Sequence, residues 1–325
     1  MKSKFKLSVA IPVYNGAKKL KKQFDRIFKD CDNKKFNNFL EIVISDNCST
    51  DNTKKVVFYY KKKSLINKNI IIRYYKQKKN IGFPKNFIGL PKLVRGKYIL
   101  YLSDDDLPGR GFYKELKNSM ENINCYQMLI APVGNSRRYF KSLFGLNKIS
   151  YIINRGSILS GIIINTKLIK YTSFLRTLYP QTELYLDYFL KYGMRDLKIK
   201  SVIYNLDKKK NIAERIGSND RMNRKYDFAL LDKVKISEKF YKKKRINFIE
   251  FFYSIYSIYK WGLAQKKILR NSKAFRLERL FFNEITKYRR KNLLNLIFLL
   301  IFLKNLFSKD RIFYYQVLKK KLFDN

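Results

Sequence analysis

Four short apolar runs, each closed by a polar turn and followed by a stretch with helical spacing, leave this chain few possible folds. The runs occupy residues 7–13, 40–46, 70–75 and 97–103. The first is followed by Leu20, Phe24, Ile27 and Phe28 within residues 17–30, a helical repeat. Helices are also expected over 52–62 and 84–94. Alternation of strand and helix implies an α/β fold, with a mostly parallel sheet joined by right-handed crossovers. The strands are apolar without alternation, as expected of strands covered on both faces. Each polar feature sits at a strand's C-terminal end, so all of them share one edge of the sheet, where open α/β sheets bind ligands.

The fourth run carries the densest chemistry on that edge. Tyr98-Ile99-Leu100-Tyr101-Leu102 runs through Ser103 into Asp104-Asp105-Asp106, then Leu107-Pro108-Gly109. Three adjacent carboxylates repel one another, and a hard divalent cation such as Mg²⁺ or Mn²⁺ relieves this by taking oxygen ligands. The competing reading is a polar loop with an aspartate cap before a helix near Phe112. Asp46-Asn47-Cys48-Ser49-Thr50-Asp51 closes the second run in the same way. Asp46, Asp51 and the 104–106 triplet are therefore expected to converge, although Asp51 reads more simply as the cap of helix 52–62.

Composition removes whole classes of chemistry. The 325 residues include no histidine, which excludes Ser-His-Asp, Cys-His and histidine-ligated zinc sites. A general base must then be a carboxylate or, less simply, Lys, Tyr or Cys. Cys31, Cys48 and Cys125 are odd in number and scattered, which fits neither a disulfide framework nor a thiolate metal site and suits a reducing cytoplasm. The 71 Lys and Arg against 25 Asp and Glu give a formal charge of +46. Such a charge raises a nucleic-acid reading, yet the lysines run through the whole chain alongside abundant Asn, Ile, Phe and Tyr, the skew of an AT-rich genome. The apolar run at 7–13 is interrupted by Pro12 and followed by Asn15-Gly16, and so reads as a strand and turn rather than a secretory signal.

Beyond the fourth run, a helix is expected over 111–124, a strand over 126–133, a basic irregular loop or lid over 134–148, a small-residue turn and strand over 157–165, a helix over 182–190 and a strand over 198–205. On that last helix Glu183 and Asp187 stand four residues apart on one stripe. From about 206 glycine and proline nearly vanish, and basic runs alternate with aromatic ones at helical spacing. Residues 293–303 are strongly apolar but shorter than the ~20 residues a spanning helix needs. They read equally as an interfacial helix or as a core helix of a C-terminal bundle.

Three stretches resemble the family 2 glycosyltransferases and their GT-A fold. They are Val9-Ala10-Ile11-Pro12-Val13-Tyr14-Asn15, the stretch from Ile44 through Asp46 and Asp51 to Thr53, and Asn80-Ile81-Gly82-Phe83 followed by Gly96 through Asp106. The resemblance covers about residues 5–205. It implies a Rossmann-like GT-A domain over 1–205, with a nucleotide-sugar half (1–110) and an acceptor half (111–205), and then a basic helical region over 206–325. It also implies inverting, metal-dependent transfer from a nucleotide-diphosphate sugar, UDP-sugars favoured, to a glycan or lipid-linked acceptor of a surface polysaccharide such as an O-antigen, capsule or lipooligosaccharide.

On that likeness Pro12, Val13 and Tyr14 wall the base pocket, Asn15 touches ribose or phosphate, and Asp46 reads the base. Asn80 and Asn86 belong to the same donor side, although turn geometry accounts for Asn80 and Gly82 equally well. Asp104 holds ribose hydroxyl and metal, Asp105 holds metal, and Asp106 is a second ligand or orients the first; the Mg²⁺ or Mn²⁺ ion neutralises the leaving diphosphate. Ser103 stands where the family pattern has an acid, so which two of the three aspartates chelate is open. The base falls to Glu183, with Asp187 second; ion pairing with nearby lysines is the competing role for both. A cytoplasmic protein touching the inner, anionic membrane face through its C-terminal segment is expected, with no nucleic-acid partner. The runner-up functions are a non-specific nucleic-acid binder and a metal-dependent nucleotidyltransferase.

Overall fold

The computed structural model describes residues 5–31, 34–67, 70–121, 125–132, 148–156, 158–169, 179–200, 202–203, 232–251, 253–255 and 257–258. The first half alternates as expected. Strand β1 (Phe5–Val13) leads to helix α1 (Ala17–Cys31), β2 (Leu40–Asp46) to α2 (Thr53–Asn67), and β3 (Ile70–Lys76) to α3 (Phe83–Gly89) and then β4 (Gly96–Tyr101). β1 pairs in parallel with β2 and β4, and β2 in parallel with β3. Side chains alternate between two cores, as the two-residue period of a strand requires. Tyr98, Leu100 and Leu102 join Leu20, Phe24, Val57 and Leu116 on one face. Ile99 and Tyr101 join Phe87, Ile153 and Leu184 on the other.

The expected helix over 84–94 stops early. α3 ends at Gly89 and a 3-10 turn covers Leu90–Lys92, because Pro91 has no N–H to continue the helical ladder.

The sheet is mostly parallel, as expected, and its second half brings in the antiparallel strand. Short β5 (Leu107–Pro108) leads to α4 (Phe112–Glu121), β6 (Met128–Ile130), α5 (Lys148–Arg155), β7 (Ile162–Asn165), α6 (Pro180–Tyr192), β8 (Met194–Asp196) and β9 (Val202–Ile203). The seven-stranded sheet runs β3-β2-β1-β4-β7-β6-β8. β7 lies between β4 and β6 and is antiparallel to both, while β8 is parallel to β6. Of the strand expected over 198–205, the described residues give β9, which pairs with β5, while residues 198–200 are not strand and β8 forms just before them. Here the Lys200 N–H donates to the Glu115 carboxylate (2.6 Å) rather than to a ladder. α5 was not foreseen; its Ile149, Ile152 and Ile153 are buried.

Residues 232–242 are helical, and helical residues resume at 248. Val234, Ile236, Phe240, Ile246, Phe251, Ile255 and Ile258 share the core containing Leu184 and Tyr185 of α6. The described part of the C-terminal region is thus packed onto the sheet's helical layer. The loop expected over 134–148, apart from Lys148, and the apolar stretch 293–303 lie outside the described residues. Among the described residues no helix is long and apolar enough to cross a membrane.

Candidate functional site

The turns after β1 and β2 are hydrogen-bonded into one unit at the C-terminal edge of the sheet. Asn15 has φ 52 and Cys48 φ 66, left-handed conformations that reverse the chain sharply. The Asn15 amide N–H donates to Ser49 Oγ (2.9 Å), and Asn15 Oδ1 accepts from the Thr50 N–H (2.9 Å). Gly16 N–H donates to Thr53 Oγ1 (3.0 Å), and Ala17 N–H to Asp51 Oδ2 (3.1 Å). Asp51 also accepts from the Thr53 N–H (2.9 Å), so it caps α2 and fastens the start of α1 at once.

The turn after β3 joins the same edge through Asn47. Its Nδ2 donates to Asn80 Oδ1 (2.7 Å) and its Oδ1 accepts from the Ile81 N–H (2.8 Å). Asn80 Oδ1 also accepts from Gly82 N–H (2.9 Å), and Gly82 has φ 78, so Asn80 and Gly82 build a turn.

β4 delivers its aspartates to this edge, but the three carboxylates part company. A Cβ on Gly16 would lie 2.6 Å from Asp104 Oδ2, so Asp104 sits directly against the bare backbone of the first turn. Asp105 Oδ1 accepts from Ser103 Oγ (2.6 Å). Asp106 is buried, and its Oδ2 accepts from Ser160 Oγ, which in turn accepts from the Ser103 N–H (2.8 Å). Among the described residues no group of three or more His, Cys, Asp or Glu is placed to hold a metal ion. The expected three-aspartate cluster is therefore corrected to an edge-facing pair, Asp104 and Asp105. The reason is that Ser160, just before β7, turns Asp106 inward. Burial pushes the Asp104 carboxyl up to about 7; the Lys19 ammonium opposes this, and Asp105 and Asp106 add to it.

Several buried groups that were not anticipated hold this strand end. Gln23 of α1 donates from Nε2 to the carbonyls of both Ser103 and Asp106 (2.5 Å each). Arg155 of α5, fully buried, donates to the carbonyls of Ile158 (3.0 Å) and Ser160 (2.6 Å). Gln23 was visible as a polar residue in the apolar stripe of α1, between Leu20 and Phe24.

Asp46 is fully buried. Its Oδ1 accepts from the Ser49 N–H (2.8 Å) and its Oδ2 from the Tyr74 hydroxyl. Burial and that hydrogen bond hold the Tyr74 phenol well above its usual range. Asp46 thus shapes the turn, and both its oxygens have protein partners. Pro12 and Val13 lie buried in β1, whereas Tyr14 is 49% exposed at its end. Asn86 is buried and exchanges hydrogen bonds with Ser45, Nδ2 to the carbonyl (2.9 Å) and Oδ1 from Oγ (2.5 Å), which ties α3 to β2.

Glu183 and Asp187 belong to a different neighbourhood. Glu183, buried in the first turn of α6, is ion-paired with Lys239 of the helix over 232–242. Asp187 accepts from Lys191 (2.5 Å) and Arg245 (3.1 Å). Both acids join α6 to the C-terminal helical region.

The family model for "Glycosyl transferase family 2" matches residues 8–172, just over half of the chain. An uncharacterized glycosyltransferase of Mycoplasma genitalium is 31% identical over 150 residues, 45% of this chain and 47% of that protein. The abequosyltransferase RfbV of Salmonella typhimurium is 33% identical over 100 residues, 31% of this chain and 28% of that protein. The chain therefore spans less than half of either relative's length. In fold, it is similar to the mannosyltransferase PcManGT from Pyrobaculum calidifontis, solved in complex with GDP-Man and Mn²⁺, with a TM-score of 0.58, 14% identity, and coverage of 98% of this chain and 88% of that one. The chain belongs to glycosyl transferase family 2, on a GT-A-like α/β fold.

Proposed function

We propose that this protein transfers a sugar from a nucleotide-diphosphate donor, a UDP-sugar by preference, to a hydroxyl of a glycan or lipid-linked acceptor in surface-polysaccharide synthesis, with inversion at the anomeric carbon. The observation that carries the reading is Asp104 seated on the Gly16 backbone, with Asp105 beside it, at the edge where the turns after β1, β2 and β3 meet. A diphosphate is the ligand such an edge suits, provided a cation offsets the charge it would share with two carboxylates.

The donor set fits Mg²⁺ or Mn²⁺. Magnesium takes one or two carboxylates and fills its remaining positions with phosphate oxygens and water. Asp104 and Asp105 would hold the ion, and an Asp104 carboxyl held near 7 by burial gains its full charge beside a cation. When bound, the ion supplies charge neutralisation for the departing diphosphate. Lys19, close enough to Asp104 to act on its charge, stands by the same edge. Tyr14, half exposed at the end of β1, is the side chain best placed to lie against the base. Asn15 and Asp46 contribute by holding the first two turns in shape. Glu183 is the candidate base and Asp187 the second; in that role Glu183 must exchange Lys239 for the acceptor hydroxyl.

A thermal-shift panel of UDP-, GDP-, CMP- and dTDP-compounds, each with and without Mn²⁺, tests the reading. Ligand binding to the native state raises its stability by mass action. A Mn²⁺-dependent rise with one diphosphonucleoside, lost in Asp105→Ala, is expected. No rise with any of them would refute it.

A further inference from the structure

We propose that the outer face of α2 is a docking surface for an anionic lipid bilayer. The proposal stands on this surface alone and is independent of the donor reading.

α2 buries one side and leaves the other both greasy and cationic. Val57 and Tyr60 face the core, with Tyr60 stacked on Phe24 of α1 at 4.8 Å. On the opposite side Tyr59 is 64% exposed, Leu65 69% and Ile66 80%, and Phe58 lies beside them. The helix has no separated apolar and polar faces, because Lys54, Lys55, Lys61, Lys62 and Lys63 are exposed among these same side chains. Lys54 and Lys61 place their ammonium groups 5.7 Å from the Phe58 ring, one from each side along the helix.

Charge complementarity selects the occupant. α1 and α4 each carry two carboxylates among their basic residues, whereas α2, as long as α1, carries five lysines and no carboxylate; the shorter α3 and α5 also lack acids but hold at most two basic residues each. A surface meant only for water gains nothing from Leu65 and Ile66, and a surface meant only for phosphates gains nothing from them either. Apolar side chains interleaved with lysines suit a membrane interface, where the apolar groups enter the headgroup–acyl boundary and the ammonium groups meet lipid phosphates. Lysine stems lie along apolar surface while their heads stay in the polar layer. α2 packs on β3, the edge strand of the sheet, so the face lies at the flank of the fold. Its first residue, Thr53, is bonded to Gly16 at the site edge. Docking along α2 would therefore place that edge beside the membrane surface.

Because lysine is spread throughout the chain, the test removes the apolar groups and leaves the charge. The full chain is sedimented with phosphatidylcholine vesicles with and without phosphatidylglycerol. The triple variant Tyr59→Ser/Leu65→Ser/Ile66→Ser, in which every replaced side chain is largely exposed, is compared with Tyr126→Ser/Ile249→Ser, whose residues are 65% and 64% exposed elsewhere. Unchanged thermal midpoints establish that both variants fold. Binding confined to the anionic vesicles, about tenfold weaker in the triple variant and unaltered in the control, is the expected result. Equal vesicle binding by the wild type and the triple variant overturns it. So does self-association, or retention of an oligonucleotide in place of vesicles, that the triple variant abolishes.

Discussion

Replacing Gly16 with alanine adds one methyl group at the contact on which the site rests. The backbone at Gly16 lies outside the left-handed region, so alanine introduces no torsional strain there and acts as a steric probe. Its Cβ would fall 2.5 Å from Val13 Cγ2 and 2.6 Å from Asp104 Oδ2. Ordinary contact begins near 3.4 Å, so the carboxylate or the turn must move by about 0.8 Å, and displacements of that size at a reacting centre cost on the order of 10²-fold in rate. Overpacking should also lower fold stability by about 1–3 kcal/mol. The assay is kcat/KM for donor turnover together with the Mn²⁺-dependent thermal shift, each normalised to the fraction folded. Gly89→Ala is the control. Gly89 ends α3 with a helical φ of −73 and nothing within 4 Å of its would-be Cβ, so alanine there should stabilise by about 0.5–1 kcal/mol and leave turnover unchanged. Wild-type turnover and a wild-type Mn²⁺ response in Gly16→Ala would show that Asp104 does not depend on its seat against the turn.

Ser160→Ala should cost about 1–3 kcal/mol, since it strips a donor from the buried Asp106 carboxylate and an acceptor from the Ser103 N–H; chemical denaturation measures it. Lys239→Met should cost about 3–5 kcal/mol by leaving the Glu183 carboxylate, 3% exposed, without its cation, and adding Glu183→Gln should restore part of that, as a double-mutant cycle would record. If Glu183 is also the base, Glu183→Gln alone lowers kcat by about 10²-fold or more while the double variant regains stability but not turnover. Burial holds the Lys233 ammonium down from 10.5 to about 7. The unfolded chain therefore binds more protons between those values, and this lysine's cost to stability falls as pH rises from about 7 towards 10.5. Relative to wild type, Lys233→Met should be more stable at neutral pH, and the difference should shrink towards pH 10.

The donor half of the fold was legible because each of its strands is an unbroken apolar run stopped by a turn. Residues 40–46 form β2 as expected, and β1, β3 and β4 differ from expectation only at their ends. The second half was less legible for a physical reason. β7 is apolar whichever neighbour it pairs with, so Ile162, Ile163 and Ile164 carry no mark of lying antiparallel between β4 and β6. The site was legible as a neighbourhood and not as a set of contacts. That Asp51, Asn15 and Asp104 share an edge follows from strand order. That Asp106 turns inward depends on Ser160, which stands on another element and is itself a small, common residue. Likewise Glu183 looked available on its own helix because Lys239, its partner, lies in a region read only as basic and helical.

The proposed function requires Asp104 and Asp105 together to hold a divalent cation against a nucleoside diphosphate. Titration of Mn²⁺ into the protein in the presence and absence of UDP measures it directly. Mn²⁺ binding strengthened by UDP, and weakened about 100-fold or more in both Asp104→Asn and Asp105→Ala while Asp187→Asn binds as wild type, is the result the account requires. Mn²⁺ binding indifferent to UDP and unchanged in the Asp104 and Asp105 variants would contradict it.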